Sequence, residues 1–301
     1  MQHGNPPKAE AEAAEGPNMS NTIKSGKFNL KYTIEGSGKP AIVIGFTKFY
    51  SRVFSKNLRS HLRMVFMDHR GSVASPGPVD KVEEYKLSRL VDDIELLRAE
   101  LDLEPVIIIG HSGHSYLALE YAKKYPAKVS HVVMIGIAPD LGRTTAVASQ
   151  QNWEKLATPE RISALDENKL KIPDEQLSKL PPGEAVVQRY VRNGPLTWYD
   201  PHFDSTPLWE GEDVNGDMVN YVWGELFRDI DVTKGLESLD KPVFLALGRY
   251  DFVVAPPSSW EPILDRFHDV TVKVFEHSGH VPQYEEPELF DQQLLDWINS
   301  F

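Results

Sequence analysis

"VIIIGHSGHSYLALEYAKKYP", residues 106–126, sets a run of branched apolar residues directly against a helical pattern. Between them stand Gly110-His111-Ser112-Gly113-His114. A strand that breaks into a helix through so short a turn lifts the residue at its apex above the sheet edge. A serine hydroxyl there becomes a nucleophile only if a base takes its proton and donors meet the oxyanion that forms. Small residues must flank the turn, because side chains would strike the neighbouring strand or helix, and Gly110, Ser112 and Gly113 satisfy that need. The usual G-x-S-x-G pattern fails at its last place, where His114 stands. An imidazole there requires a small facing element, or a place in the pocket wall. The competing reading makes Ser112 or Ser115 a cap on the following helix. The strand–turn–helix context favours the nucleophile.

A serine nucleophile on such a turn sets a chain order of serine, acid, histidine, each after a later strand. "KPVFLALGRYDFVV" ends an apolar run in Gly248-Arg249-Tyr250-Asp251, and "VTVKVFEHSGHVPQYEEP" places His280 in the loop after the last strand. Both follow the C-terminal edge of a strand, where ligands bind in α/β sheets. His277 competes with His280, but Ser278-Gly279 supplies the turn that would present the later residue. Asp251 also suits a plain turn. With the triad as read, Gly113 N–H and a donor after "AIVIG", Phe46 or Thr47, would meet the oxyanion.

Outward from this centre, apolar strands alternate with amphipathic helices, which predicts an α/β fold with a mainly parallel sheet covered on both faces. "KFNLKYTIEGSGKPAIVIGF" gives two strands around a Gly-rich turn, and "RMVFMDHRG" another. Leu90, Ile94, Leu97 and Leu101 mark a helix. "SHVVMIGIAP", "KPVFLALG" and "VTVKVFEH" are strands, while "SSWEPILDRFHD" and "EPELFDQQLLDWINSF" are expected to be helical. The beat stops near Asp140 and resumes near Lys241. The hundred or so residues between are too many for a loop. The expected organisation is a tail over 1–21, a core over 22–140 and 240–301, and an inserted, mostly helical lid over 141–239.

The formal charge of −12 gives no basic footprint for nucleic acid. No stretch has the length and apolarity of a membrane span. The absence of cysteine rules out a thiol nucleophile, disulfides and cysteine-ligated zinc. The N-terminal residues lack the apolar core of a secretory signal, so the expected location is cytoplasmic. No cofactor is expected: Gly36-Ser37-Gly38 lacks the third glycine and following helix of a dinucleotide loop. No metal is expected either, since the turn itself accounts for His111 and His114.

With these motifs in place, the sequence from about Lys27 onward resembles the α/β-hydrolase superfamily, in its proline iminopeptidase-like group. "FMDHRGSVASPGP" is similar to the group's Asp-x-Arg-Gly turn, "LGRYDFVV" to its acid loop and "SGHVPQYEEPELF" to its histidine segment. The resemblance implies the α/β-hydrolase fold and catalysis by Ser112, Asp251 and His280, and carries over Asp68 and Arg70 as a structural pair, the arginine tying down a turn. It departs where the group has His-Gly-Gly-Pro-Gly: "VIGFTKFYS" stands instead, with bulky Phe46, Phe49 and Tyr50. The group's aminopeptidases hold a free amine with lid carboxylates, for which Glu210, Glu212, Asp213 and Glu225 are candidates; a solvated acidic face is the plainer reading. His111, Trp198, Tyr199, Glu210 and Glu225 are the expected pocket residues. The expected activity is hydrolysis of a small ester or amide, or of a short peptide at an N-terminal proline. Carboxylesterase, lactonase or carbon–carbon bond hydrolase chemistry, and ligand binding without catalysis, are the alternatives.

Overall fold

The computed structural model describes residues 21–301. The expected tail falls outside them up to residue 20, and Asn21, placed at its end, instead opens a strand. Eight strands form one sheet: β1 (Asn21–Ser25), β2 (Phe28–Glu35), β3 (Lys39–Ile44), β4 (Leu62–Met67), β5 (Val106–His111), β6 (Val129–Ile135), β7 (Val243–Gly248) and β8 (Val270–Phe275). Their order is β1-β2-β4-β3-β5-β6-β7-β8. The pairs β1/β2 and β2/β4 are antiparallel, and all others parallel. All six residues of β5 are buried, which is why its sequence runs apolar without alternation: both faces of a central parallel strand are covered.

The helix Leu87–Glu100 buries Leu90, Ile94 and Leu97, as their spacing predicts. The helix His114–Lys124 packs on β5 and β6, and the helix Pro287–Ile298 buries Phe290, Leu294 and Trp297. One local reading is corrected. β1 adds an antiparallel edge that the sequence reading omitted. Residues 257–266 are helical as expected, in the 3₁₀ form; Pro262 within them has no N–H to give an α-helical ladder.

From β3 the chain steps to β4 on one side, then crosses to β5 on the other. The loops leaving β3 and β5 therefore diverge at their C-terminal ends, opening the crevice where α/β sheets bind ligands. Between β6 and β7 lie the helices Arg143–Leu156, Pro159–Lys171 and Pro182–Arg192, shorter turns, and one π-helical turn, Val222–Leu226.

Candidate active site

Ser112 sits at the end of β5 with φ of +54°, a left-handed conformation that costs a side-chain-bearing residue on the order of 1–2 kcal/mol. The surrounding structure holds it there. Its N–H donates to the Ile135 carbonyl at 2.8 Å, the Ser112 carbonyl accepts the Ser115 N–H at 2.9 Å, and Ser115 Oγ donates to the Gly110 carbonyl at 2.9 Å. Ser115 is thus the residue that secures the turn. Gly110 is required for close approach: a Cβ there would lie 2.3 Å from the His114 carbonyl oxygen.

Asp251 follows β7 and His280 follows β8. His280 Nδ1 and Asp251 Oδ2 are 2.7 Å apart, with both residues buried. Asp251 Oδ1 accepts the N–H groups of Val253 (2.9 Å) and Val254 (3.3 Å), so its turn role and its pairing coexist on separate oxygens. The His280 N–H donates to the Thr197 carbonyl at 2.6 Å. Glu285 accepts from the N–H groups of Gly279 (2.9 Å) and Val281 (3.3 Å) on either side. His277 is exposed, and its ring lies against Tyr199 and Glu286, away from Asp251. Ser112 and His280 line one cavity of about 310 Å³. No direct hydrogen bond joins Ser112 Oγ to His280 among the described residues. Such contacts often tighten only when substrate binds.

The loop after β3 supplies the facing wall. Thr47 N–H donates to Asp68 Oδ1 at 3.0 Å, while neither the Phe46 nor the Gly113 N–H donates to any described residue. Asp68 and Arg70 are not partners of each other. Arg70 is buried and grips Asp93 through Nε (2.7 Å) and Nη2 (3.0 Å), with Glu84 on Nη1; it ties its turn to the helix Leu87–Glu100. Asp68 points the other way, to the β3 loop, and burial raises its pKa to about 6.

His114, the departure from the serine motif, is buried and also lines the cavity. Gly45, with φ of +136°, makes the room: a Cβ there would lie 2.3 Å from Tyr50 Cε2 and 2.9 Å from His114 Cε1. Tyr50 Oη lies 2.9 Å from His114 Nδ1 and 3.1 Å from His111 Nδ1. His111 Nε2 is 2.8 Å from the His280 carbonyl oxygen. These contacts assign the tautomers. His111 carries its proton on Nε2 and accepts the Tyr50 hydroxyl on Nδ1. His114 Nδ1 carries a proton and faces Tyr50 Oη and the His111 carbonyl (3.1 Å). His69 accepts the Gly71 N–H on Nδ1, so its proton is on Nε2. Burial lowers the pKa of His69 to about 3 and those of His111 and His114 well below the ordinary range, and raises that of Tyr50 well above it. All four are neutral side chains in the interior.

Of the expected pocket residues, His111 and Trp198 line the cavity and the other three do not. Tyr199 is exposed, its ring edge-on to Tyr250 and His277. Glu210 and Glu225 are exposed on the insert, where a carboxylate keeps its hydration. Glu212 accepts the Phe49 N–H at 2.6 Å, and burial raises its pKa to about 7. Asp213 pairs with Lys31 at 2.7 Å. Trp209, Trp223, Arg189 and Asn193 line the cavity instead. Trp223 rides the π-helical turn, a feature frequent at functional sites, and its ring closes on Gly113, whose Cβ would lie 2.7 Å away. The sequence offered only the abundance of insert tryptophans as a signal for these residues. No group of His, Cys, Asp or Glu able to hold a metal occurs among the described residues, nor does a helix long and apolar enough to cross a membrane.

Residues 38–183 match the family model for the alpha/beta hydrolase fold. The chain is 36% identical to the AB hydrolase superfamily protein YclE of Bacillus subtilis (strain 168), over 91% of this chain and 96% of that protein. It is 26% identical to a proline iminopeptidase of Heyndrickxia coagulans, over 90% and 94% of the two chains. The crystal structure of the proline iminopeptidase of Mycobacterium smegmatis superposes with a TM-score of 0.70 at 18% identity, covering 94% of this chain and 98% of that one. Similarity along nearly the full length of the Bacillus protein, together with the sheet order and the sharp turn after β5, means that the chain belongs to the α/β-hydrolase superfamily.

Proposed function

We propose that the chain is a serine hydrolase acting on a small ester through Ser112, His280 and Asp251. The observation that carries this reading is the buried His280–Asp251 hydrogen bond of 2.7 Å at the cavity that Ser112 enters from a strained turn. Strain of this kind clusters at active sites, where it is offset elsewhere in the fold. Ser112 Oγ attacks the ester carbonyl carbon as His280 takes the hydroxyl proton, and Asp251 holds the imidazole in the tautomer that can accept it. The C–O bond breaks, His280 passes the proton to the leaving alkoxide, and an acyl-enzyme remains. Water then attacks the acyl carbon, giving its proton to His280, which returns it to Ser112 as the acid leaves. The Phe46 and Gly113 N–H groups receive the oxyanion at each step. Thr47 is not a donor here because its N–H is committed to Asp68. The insert, 141–239, serves as the lid.

Ester cleavage is favoured over removal of an N-terminal proline by the cavity wall. Among the described residues that line it there is no carboxylate to hold a free amine. A fluorophosphonate is expected to label Ser112, and Ser112→Ala to abolish both labelling and turnover of p-nitrophenyl acetate. Full turnover by Ser112→Ala defeats the reading. Faster cleavage of a prolyl anilide than of any ester would restore the peptidase assignment.

A further inference from the structure

We propose that the substrate of this site carries an anionic group, a carboxylate or its equivalent, held at the cavity mouth by Arg189 and Asn193. The inference rests on the hydrolase reading and names its substrate class. Arg189 lies on the helix Pro182–Arg192 of the insert, and Asn193 caps the end of that helix. A spacing of four residues puts the two side chains on one helix face, and both line the cavity that holds Ser112. Neither side chain makes a hydrogen bond or ion pair with any described residue. Arg189 is exposed, so its guanidinium is solvated and free to meet a ligand. Of the insert's other arginines, Arg161 binds the carbonyls of Pro195 and Trp198, Arg192 pairs with Asp174 and Arg228 with Asp229, while Arg143 is exposed and lies outside the cavity lining.

The carboxylates that would favour a cationic substrate are turned elsewhere. Glu212 is bound to the Phe49 N–H, Asp213 to Lys31, and Glu210 and Glu225 face solvent. Arg189 is thus the one permanent charge among the described residues of the wall. A guanidinium offers paired donors that match a carboxylate, and the Asn193 amide adds another. The rest of the wall is largely aromatic, with Trp198, Trp209 and Trp223 among its members, which fits an apolar body between the scissile carbonyl and the charged end.

The test compares three p-nitrophenyl esters of matched chain length, ending in a carboxylate, a methyl group or an ammonium. For the wild-type chain, kcat/KM is expected to rank the acid first, ahead of the ammonium ester by about tenfold or more. The acid-to-methyl ratio should fall by about tenfold in Arg189→Gln and recover in part in Arg189→Lys. Equal rates for the three esters, or a ratio unmoved by Arg189→Gln, overturn the proposal while fluorophosphonate labelling of Ser112 leaves the hydrolase reading intact. Should no ester be turned over and no label be taken up, the hydrolase reading fails separately. Tryptophan fluorescence of Ser112→Ala titrated with the anilide analogue of the acidic ester then decides the inference alone. Saturable quenching that Arg189→Gln weakens supports it, and binding indifferent to the terminal charge overturns it.

Discussion

The Nε2–H of His111 donates to the main-chain oxygen of His280 at 2.8 Å, across 169 residues of chain. The neighbour of the elbow serine therefore holds the loop that carries the opposing imidazole. In His111→Ala that carbonyl loses its donor and a void opens beneath the loop, a cost of about 2–3 kcal/mol. Displacement of His280 should also lower kcat on p-nitrophenyl acetate by on the order of tenfold or more. Urea unfolding and steady-state kinetics measure the two effects; wild-type kcat in this variant would show that the contact positions nothing.

Tyr50 joins the other half of the site. Its hydroxyl bridges His111 and His114 on the elbow side, and its helix, Thr47–Val53, begins directly after Phe46. Tyr50→Phe keeps the ring and removes the bridge, leaving a buried imidazole nitrogen unpaired at about 1–2 kcal/mol. The expected kinetic signature is a lower kcat with KM little changed, because the spacing of the donors proposed at Phe46 and Gly113 would matter to the oxyanion rather than to the ground state. A rise in KM at constant kcat would assign Tyr50 to substrate binding instead.

The sequence revealed the architecture where burial is two-sided and local. β5 reads as a strand because both of its faces are covered, and the order Ser112, Asp251, His280 is visible because each follows its own apolar run. What it hid depends on contacts remote in the chain. The fit of His114 is set by Gly45, nearly seventy residues earlier, and the Thr47 N–H is taken up by Asp68. The insert was the least legible part. Its carboxylates carry no period that tells the cavity side from the water side, so Glu210 and Glu225 were expected inside while Arg189 went unnoticed. β1 was missed because five residues on a sheet edge give too short a pattern.

Gly45 offers a sharp check on how His114 is accommodated. Alanine there must adopt φ of +136° and place its Cβ within 2.3 Å of the Tyr50 ring. The expected destabilisation is about 3 kcal/mol, combining backbone strain with displacement of a buried aromatic. Adding His114→Gly removes the imidazole contact but not the Tyr50 clash, so the double variant should recover only part of the loss. Thermal unfolding of the three variants tests this, and complete recovery would show that His114 alone demands the glycine.

The buried imidazoles also set how the fold responds to acid. His69, His111 and His114 have folded-state pKa values far below the ordinary value near 6.5, because burial opposes their charge. Below pH 6.5 the unfolded chain takes up protons that the folded chain refuses, so stability falls as pH falls. For His69, with its pKa near 3, this removes about 2 kcal/mol between pH 6.5 and pH 5, at about 1.36 kcal/mol per pH unit; His111 and His114 act in the same direction. Above pH 7 all three are neutral in both states and contribute no slope. Asp68, Glu212 and Glu285, whose pKa values burial raises to about 6, 7 and 8, act in the opposite direction over the same range, so the share of an imidazole is read from the difference between wild type and variant in urea unfolding from pH 8 to pH 5. His69→Phe, which leaves the Tyr50 bridge in place, should reduce the acid slope by nearly one proton. An undiminished slope in that variant would mean that His69 is protonated in the folded protein.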